Sequence, residues 1–261
     1  MRRSAAWSIA RREVRALFES PGGYLILGTF WLVAGMLLLS LLFQYREESL
    51  RLAQGGQVRS GPAEIHVNDA VVQPLLLNLG SILAFFVPLL TMRTFAEERR
   101  SGSLELLLSQ PVRGVDVLAG KTLGALASLG ICLSILLVHA VVLLLVSSPD
   151  WPALLAGLVG LLLLGLLFTA AGILLSVLSR SQVEAAVLTL GGLLAATIGP
   201  GAARPGSPAG EAIVGFLSIM GRFEEFTRGL LDLGNVAFFV GATLLLLAAG
   251  LRALDLVRWQ G

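Results

Sequence analysis

Long apolar runs alternate along the chain with short charged stretches. A hydrocarbon core about 30 Å thick needs about 20 apolar residues at the helical rise, and six windows approach or exceed that length. Tyr24 to Phe43 is closed by Glu19 and Arg46, and Val71 to Met92 by Asp69 and Arg93. Thr122 to Val146 and Ala153 to Leu178 form a helical hairpin whose link, Ser147 to Pro152, holds Pro149, Asp150 and Trp151. Ala185 to Ile198 is shorter and runs into a Gly/Pro-rich segment; Val236 to Leu251 is the last window. The pattern predicts an all-α polytopic membrane protein with six transmembrane helices forming one domain. Pro88 lies inside the second window, where its missing N–H should kink the helix and free a carbonyl for a neighbour.

Ahead of the first window, Trp7, Ala10, Val14 and Leu17 recur at spacings of three and four, with Arg11, Arg12 and Arg15 turned elsewhere. This predicts an amphipathic interfacial helix over residues 1–20. Pro21, Gly22 and Gly23 then let the chain turn into the first span. The charges at Arg11, Arg12, Glu13 and Arg15 interrupt any signal-peptide core, so no cleavage is expected.

Composition narrows the class further. The 261 residues are 56% hydrophobic and 14% charged, against about 25% charged in ordinary globular chains, and the mean hydropathy is +0.84. Soluble enzymes, disordered regulators and nucleic-acid binders are poor fits. The sequence pI of about 9.2 accompanies a net charge of only +2, and the basic residues sit beside apolar runs. With six spans, thirteen basic residues fall on the side of the termini and six on the other. The positive-inside rule therefore places both termini in the cytoplasm.

Candidate chemistry inside the chain is sparse. Gly114 to Thr122 ends in Gly-Lys-Thr, but five residues rather than four separate Gly114 from the Gly-Lys pair and no strand precedes it, so it is not a phosphate loop. No nucleotide site is expected. A single cysteine excludes an internal disulfide framework. Cys132 and His139, seven residues apart on the third span, are too few for a closed metal site. His139 either lines a pathway or bonds a backbone carbonyl of a neighbouring helix. Ser128, Ser134 and His139 lack any nucleophile motif. Glycines 120, 124, 157, 160 and 165, with the Gly172 and Ser176 pair, are read as helix-packing positions.

The connection over residues 93–121 is unlike a passive link. Glu97 and Arg100 are placed for an i, i+3 contact, and Gly102 releases the chain. Ser103 can cap a second short helix carrying Leu104, Leu106, Leu107 and Leu108, which Pro111 stops. Leucines exposed there need either a protein partner or a lipid surface.

The run MRTFAEERRSGSLELLLSQPVRGVDVLAGK resembles the segment between spans two and three of type-2 ABC exporter permeases, particularly the gliding-motility and nitrous-oxide-maturation type. Residues 172–182 and 221–234 resemble the end of their fourth span and the approach to their last. Ser103 stands where Thr is more usual, and Arg180-Ser181 precede Gln182 where Asn is commoner. The resemblance implies a bacterial inner-membrane permease without enzymatic activity, working with a second, identical or different permease chain and a cytosolic ABC ATPase dimer that holds ATP and Mg. Glu97, Glu98, Arg99, Gly102, Leu104, Glu105, Leu106, Leu107, Leu108 and Pro111 would form the element that couples it to the ATPase. The alternative is an ATPase-driven mechanical or scaffolding component of an envelope or motility complex.

In the segment 199–235, Ala212 to Met220 is too short to span and reads as a re-entrant or interfacial helix, followed by the acidic stretch Phe223 to Asp232. By resemblance this segment closes the outer end of the pathway, with Phe216, Phe223, Glu224 and Glu225 as the candidate gate; a cap at the dimer rim is the alternative. The first loop, Gln44 to Ala70, is a candidate contact for an envelope protein.

Overall fold

The computed structural model describes residues 2–54, 66–102, 113–146, 150–202 and 218–260, and among them every regular element is helical. They are α1 (Arg2–Glu19), α2 (Pro21–Ala53), a π-helical turn (Asn68–Val72) leading into α3 (Gln73–Thr91), α4 (Ala96–Arg100), α5 (Gly114–Leu133), α6 (Ile135–Val146), α7 (Trp151–Leu178), α8 (Gln182–Ala202), α9 (Ile219–Thr227) and α10 (Leu233–Gln260).

Five stretches are long and apolar enough to cross a membrane: Pro21–Leu52, Asn68–Arg100, Gly114–Val146, Trp151–Leu178 and Leu233–Leu256. The fifth expected window falls in α8, where the apolar stretch is shorter, Gln182–Ile198. The chain is a multi-pass membrane protein. Its second and fourth spans are half buried within the chain, at 50% and 56%, whereas the first, third and last are 22–28% buried. α7 is therefore the central post, with α3, α8, α9 and α10 packed on it.

Glycine explains how the post is approached so closely. A Cβ at Gly165 would lie 2.7 Å from Leu129, and one at Gly172 would lie 2.2 Å from Thr91 Oγ1. The expected packing role of these small residues holds.

Several boundaries differ from expectation. α2 continues ten residues past Phe43 because Arg46, Glu47, Glu48 and Arg51 are good helix formers. The third span breaks at Ser134, whose hydroxyl donates to Ile131 O at 2.6 Å; Trp31 Nε1 donates to the nearby Cys132 carbonyl at 2.9 Å. α3 runs through Pro88 and gives way four residues later to a turn over residues 92–95.

α1 meets α2 at one residue. Ser20 is extended, its hydroxyl accepts from the Gly23 N–H at 3.1 Å, and Pro21 occupies the first helical turn. A Cβ at Gly23 would lie 1.8 Å from Leu17 O, so only glycine permits this elbow. α1 packs along α5 through Ala6, Ile9, Ala10 and Glu13, which meet Gly120 and Gly124. The expected stripe is thereby divided: Ala10 is buried and Leu17 partly so, while Trp7 is 68% exposed.

Candidate functional site

At the end of the bundle that carries α1, four elements converge on the turn after α3. Ser176, fully buried on α7, accepts from the backbone N–H groups of Phe95 (3.0 Å) and Ala96 (3.1 Å) and donates to Met92 O (3.3 Å). Those N–H groups open α4 and have no partner within it. From α4, Arg99 Nη1 donates to the carbonyls of Val177 (3.2 Å) and Leu178 (3.3 Å), placing a cation on the last, unpaired carbonyls of α7. α4 ends at Gly102, whose φ of +70° is the left-handed conformation glycine adopts without strain.

Lys121 is the centre of the arrangement. It lies at the head of an apolar span and is 1% exposed, yet its ammonium has three donors and three acceptors: Glu13 Oε1 at 2.8 Å, Glu98 Oε1 at 3.0 Å and the Thr94 carbonyl. The Phe95 ring lies 5.0 Å from Nζ, a cation–π contact. Arg12 Nη2 approaches Glu98 Oε1 at 2.9 Å and Glu13 Oε1 at 3.6 Å. A buried lysine without such pairing would cost several kcal/mol, roughly, in desolvation. With it, the residues flanking the connection between the second and third spans are drawn together and tied to α1.

The opposite end is locked differently. Phe223 and Phe226 of α9 are fully buried. They fill notches at Gly80 of α3, where a Cβ would lie 2.6 Å from Phe223 Cε1, and at Gly160 of α7, where it would lie 2.5 Å from Phe226 Cβ. The buried Asn235 of α10 accepts from Arg222 Nη1 at 2.8 Å and donates to Glu225 Oε2. Arg222 also stacks 4.5 Å from the Phe238 ring, and Glu224 pairs with Arg228 at 2.6 Å.

Residues 7–258 match the family model described as ABC-2 family transporter protein. The chain belongs to the ABC-2 family. No curated protein matches it. ABC-2 membrane proteins are transport subunits, not themselves catalytic, and membership implies a separate ABC ATPase as partner in a membrane setting.

Within this ABC-2 chain, the residues expected to couple to the ATPase are distributed unevenly. Glu98 and Arg99 hold the network together, and Gly102 terminates α4. Glu97 is exposed, and the expected contact with Arg100 is not among the ion pairs of the described residues. The neighbouring Glu98 faces Lys121 at 3.0 Å and Arg12 at 2.9 Å. Leu104, Glu105, Leu106, Leu107, Leu108 and Pro111 lie outside the described residues, as does Phe216 of the candidate gate. Phe223 is a packing residue between helices, and Glu224 and Glu225 brace α9 on its own turn and on α10.

Three residues that matter were not singled out for coupling from the sequence: Lys121, Glu13 and Ser176. A lysine heading an apolar run and a glutamate among arginines were the available signals. Cys132 and His139 lie on either side of the turn at Ser134 within the third span. His139 is buried, and neither ring nitrogen bonds a backbone carbonyl among the described residues. Among the described residues no three His, Cys, Asp or Glu side chains group as a metal site.

Proposed function

We propose that this ABC-2 protein is the permease subunit of an ATP-driven exporter in a bacterial inner membrane. It has six spans, with α8 as the fifth, both termini in the cytoplasm, and α1 along the membrane surface. Residues 93–121 form the coupling loop on which an ABC ATPase dimer, holding ATP and Mg, pushes; a second permease chain completes the pathway. The resemblance of residues 92–121 to gliding-motility and nitrous-oxide-maturation permeases supports that branch, in which an envelope protein is a further partner.

The observation that carries this reading is the Lys121 cluster. The Glu98 contact closes the base of the loop at 3.0 Å, and Glu13 joins that base to α1. Force applied to a loop closed in this way is transmitted to α3 and α5 together instead of being absorbed by a flexible linker. Ser176 and Arg99 pass it to α7, the post on which α3, α8, α9 and α10 pack. The outer helix α9, keyed into α3 and α7 by Phe223 and Phe226, is the element that rides on that movement.

The test is affinity purification from detergent-extracted membranes, with identification of bound proteins and an ATP hydrolysis assay. A stoichiometric ABC ATPase is expected, with hydrolysis abolished by mutating its own nucleotide site. A folded chain that retains no ATPase would overturn the reading.

A further inference from the structure

Beside the Lys121 cluster lies a cleft of about 450 Å³, bounded by α1, the α1–α2 elbow, α3, α4 and α5. Its volume falls within the roughly 300–1,000 Å³ typical of small-molecule sites. Leu17, Ile26 and Leu89 give it an apolar floor, and six charged side chains stand among the small and polar residues that line the remainder. It stands where the apolar run of α3 ends at Arg93 and that of α5 begins after Lys121, and a charged-to-apolar boundary of this kind matches the interface of a bilayer.

The charges of the lining balance: Arg12, Arg93 and Lys121 against Glu13, Glu97 and Glu98. Four of the six are committed to one another. Lys121 and Arg12 engage Glu13 and Glu98 at 2.8–3.6 Å. The remaining pair, Arg93 and Glu97, take part in no ion pair among the described residues, and Arg93 makes only a 3.5 Å contact with Ser20 Oγ. One cation and one anion therefore stand uncommitted around a single cleft with an apolar floor.

We propose that this cleft binds a zwitterionic phospholipid bearing a primary amine. Arg93 takes the phosphodiester through its forked N–H donors, Glu97 takes the ammonium, and the acyl chains leave along Leu17, Ile26 and Leu89. A net-anionic lipid is disfavoured because three carboxylates offset the cations and its headgroup leaves Glu97 without a partner. Binding there inserts a lipid between α1 and α4, and so sets how firmly the elbow is held.

The experiment uses the full chain, reconstituted from vesicles of phosphatidylethanolamine, phosphatidylcholine or phosphatidylglycerol, with retained lipid measured by native mass spectrometry. Phosphatidylethanolamine should be retained over phosphatidylglycerol by about tenfold, corresponding to about 1.4 kcal/mol. Arg93→Gln should remove that retention, and Glu97→Gln should erase the preference for phosphatidylethanolamine over phosphatidylcholine while leaving the phosphate bound. Both side chains are exposed, and unchanged helical circular dichroism will confirm that the variants fold. Equal retention of the three lipids, retention unaffected by Arg93→Gln, or displacement by millimolar inorganic phosphate would each overturn the proposal. Because the assay contains no ATPase, its outcome is independent of the coupling reading.

Discussion

Lys121 Nζ lies 3.0 Å from Glu98 Oε1, so a residue at the head of the third span is bonded to one on the short helix that follows the second. Glu13 of α1 shares the same ammonium at 2.8 Å. Removing one member of a buried pair leaves the others as uncompensated charge, a loss of about 3 kcal/mol. Lys121→Met should therefore lower the thermal unfolding midpoint of the detergent-purified chain sharply. Glu98→Gln should cost less, since Glu13 still faces the lysine. A double-mutant cycle on Lys121 and Glu98 should give a coupling of at least about 0.5 kcal/mol; additive losses would show that the contact carries no interaction energy.

How much of this arrangement was legible follows from what periodicity records. Apolar run length reports the spans, and the glycines report where helices approach, because both are local properties of the chain. Gly80 stands beside Ser81 and four residues before Ala84, a pattern that can mark a close approach but cannot say that Phe223 enters it. The Lys121 cluster brings together residues 13, 98 and 121, and no sequence spacing encodes a contact across three elements. Helix ends differ from window ends for a related reason. Charged residues close an apolar window without ending a helix, so α2 continues through Arg46 to Arg51. The exposure of Trp7 likewise depends on α5, whose Gly120 and Gly124 select a neighbouring face of α1 as the one to bury.

Ser176 supplies the acceptor for two successive N–H groups at the start of α4. Ser176→Ala leaves both buried donors unpartnered, at about 1–3 kcal/mol for such a group. The effect should be local as well as global. Hydrogen exchange of the Phe95 and Ala96 amides should accelerate by more than that of α3 amides such as Leu83. Uniform acceleration throughout the bundle would show that Ser176 contributes only general packing.

Phe223 and Gly80 form a matched pair at the opposite end. The added methyl of Gly80→Ala would meet Phe223 Cε1 at 2.6 Å and Leu164 Cδ2 at 3.1 Å. Overpacking of this kind costs about 1–3 kcal/mol. Trimming the ring with Phe223→Leu should recover part of that loss in the double variant, even though Phe223→Leu alone is destabilising. Unfolding midpoints of the three variants test this directly, and losses that simply add would remove the notch as the reason for glycine at position 80.

The proposed coupling loop is tested at Gly102 and Leu107. Gly102 sits at φ +70° with no atom within 4 Å of an added Cβ, so conformation rather than space restricts it. Proline, fixed near −65°, cannot adopt this turn. Asparagine tolerates the left-handed region, and alanine bears about 1 kcal/mol of strain there. ATPase co-purification should accordingly fall in the order Gly, Asn, Ala, Pro. Leu107→Asp should abolish it by placing charge within the leucine-rich segment, while membrane insertion is retained in every variant. Normal ATPase retention and transport in both Gly102→Pro and Leu107→Asp would remove residues 97–111 from the coupling element and return that role to another loop.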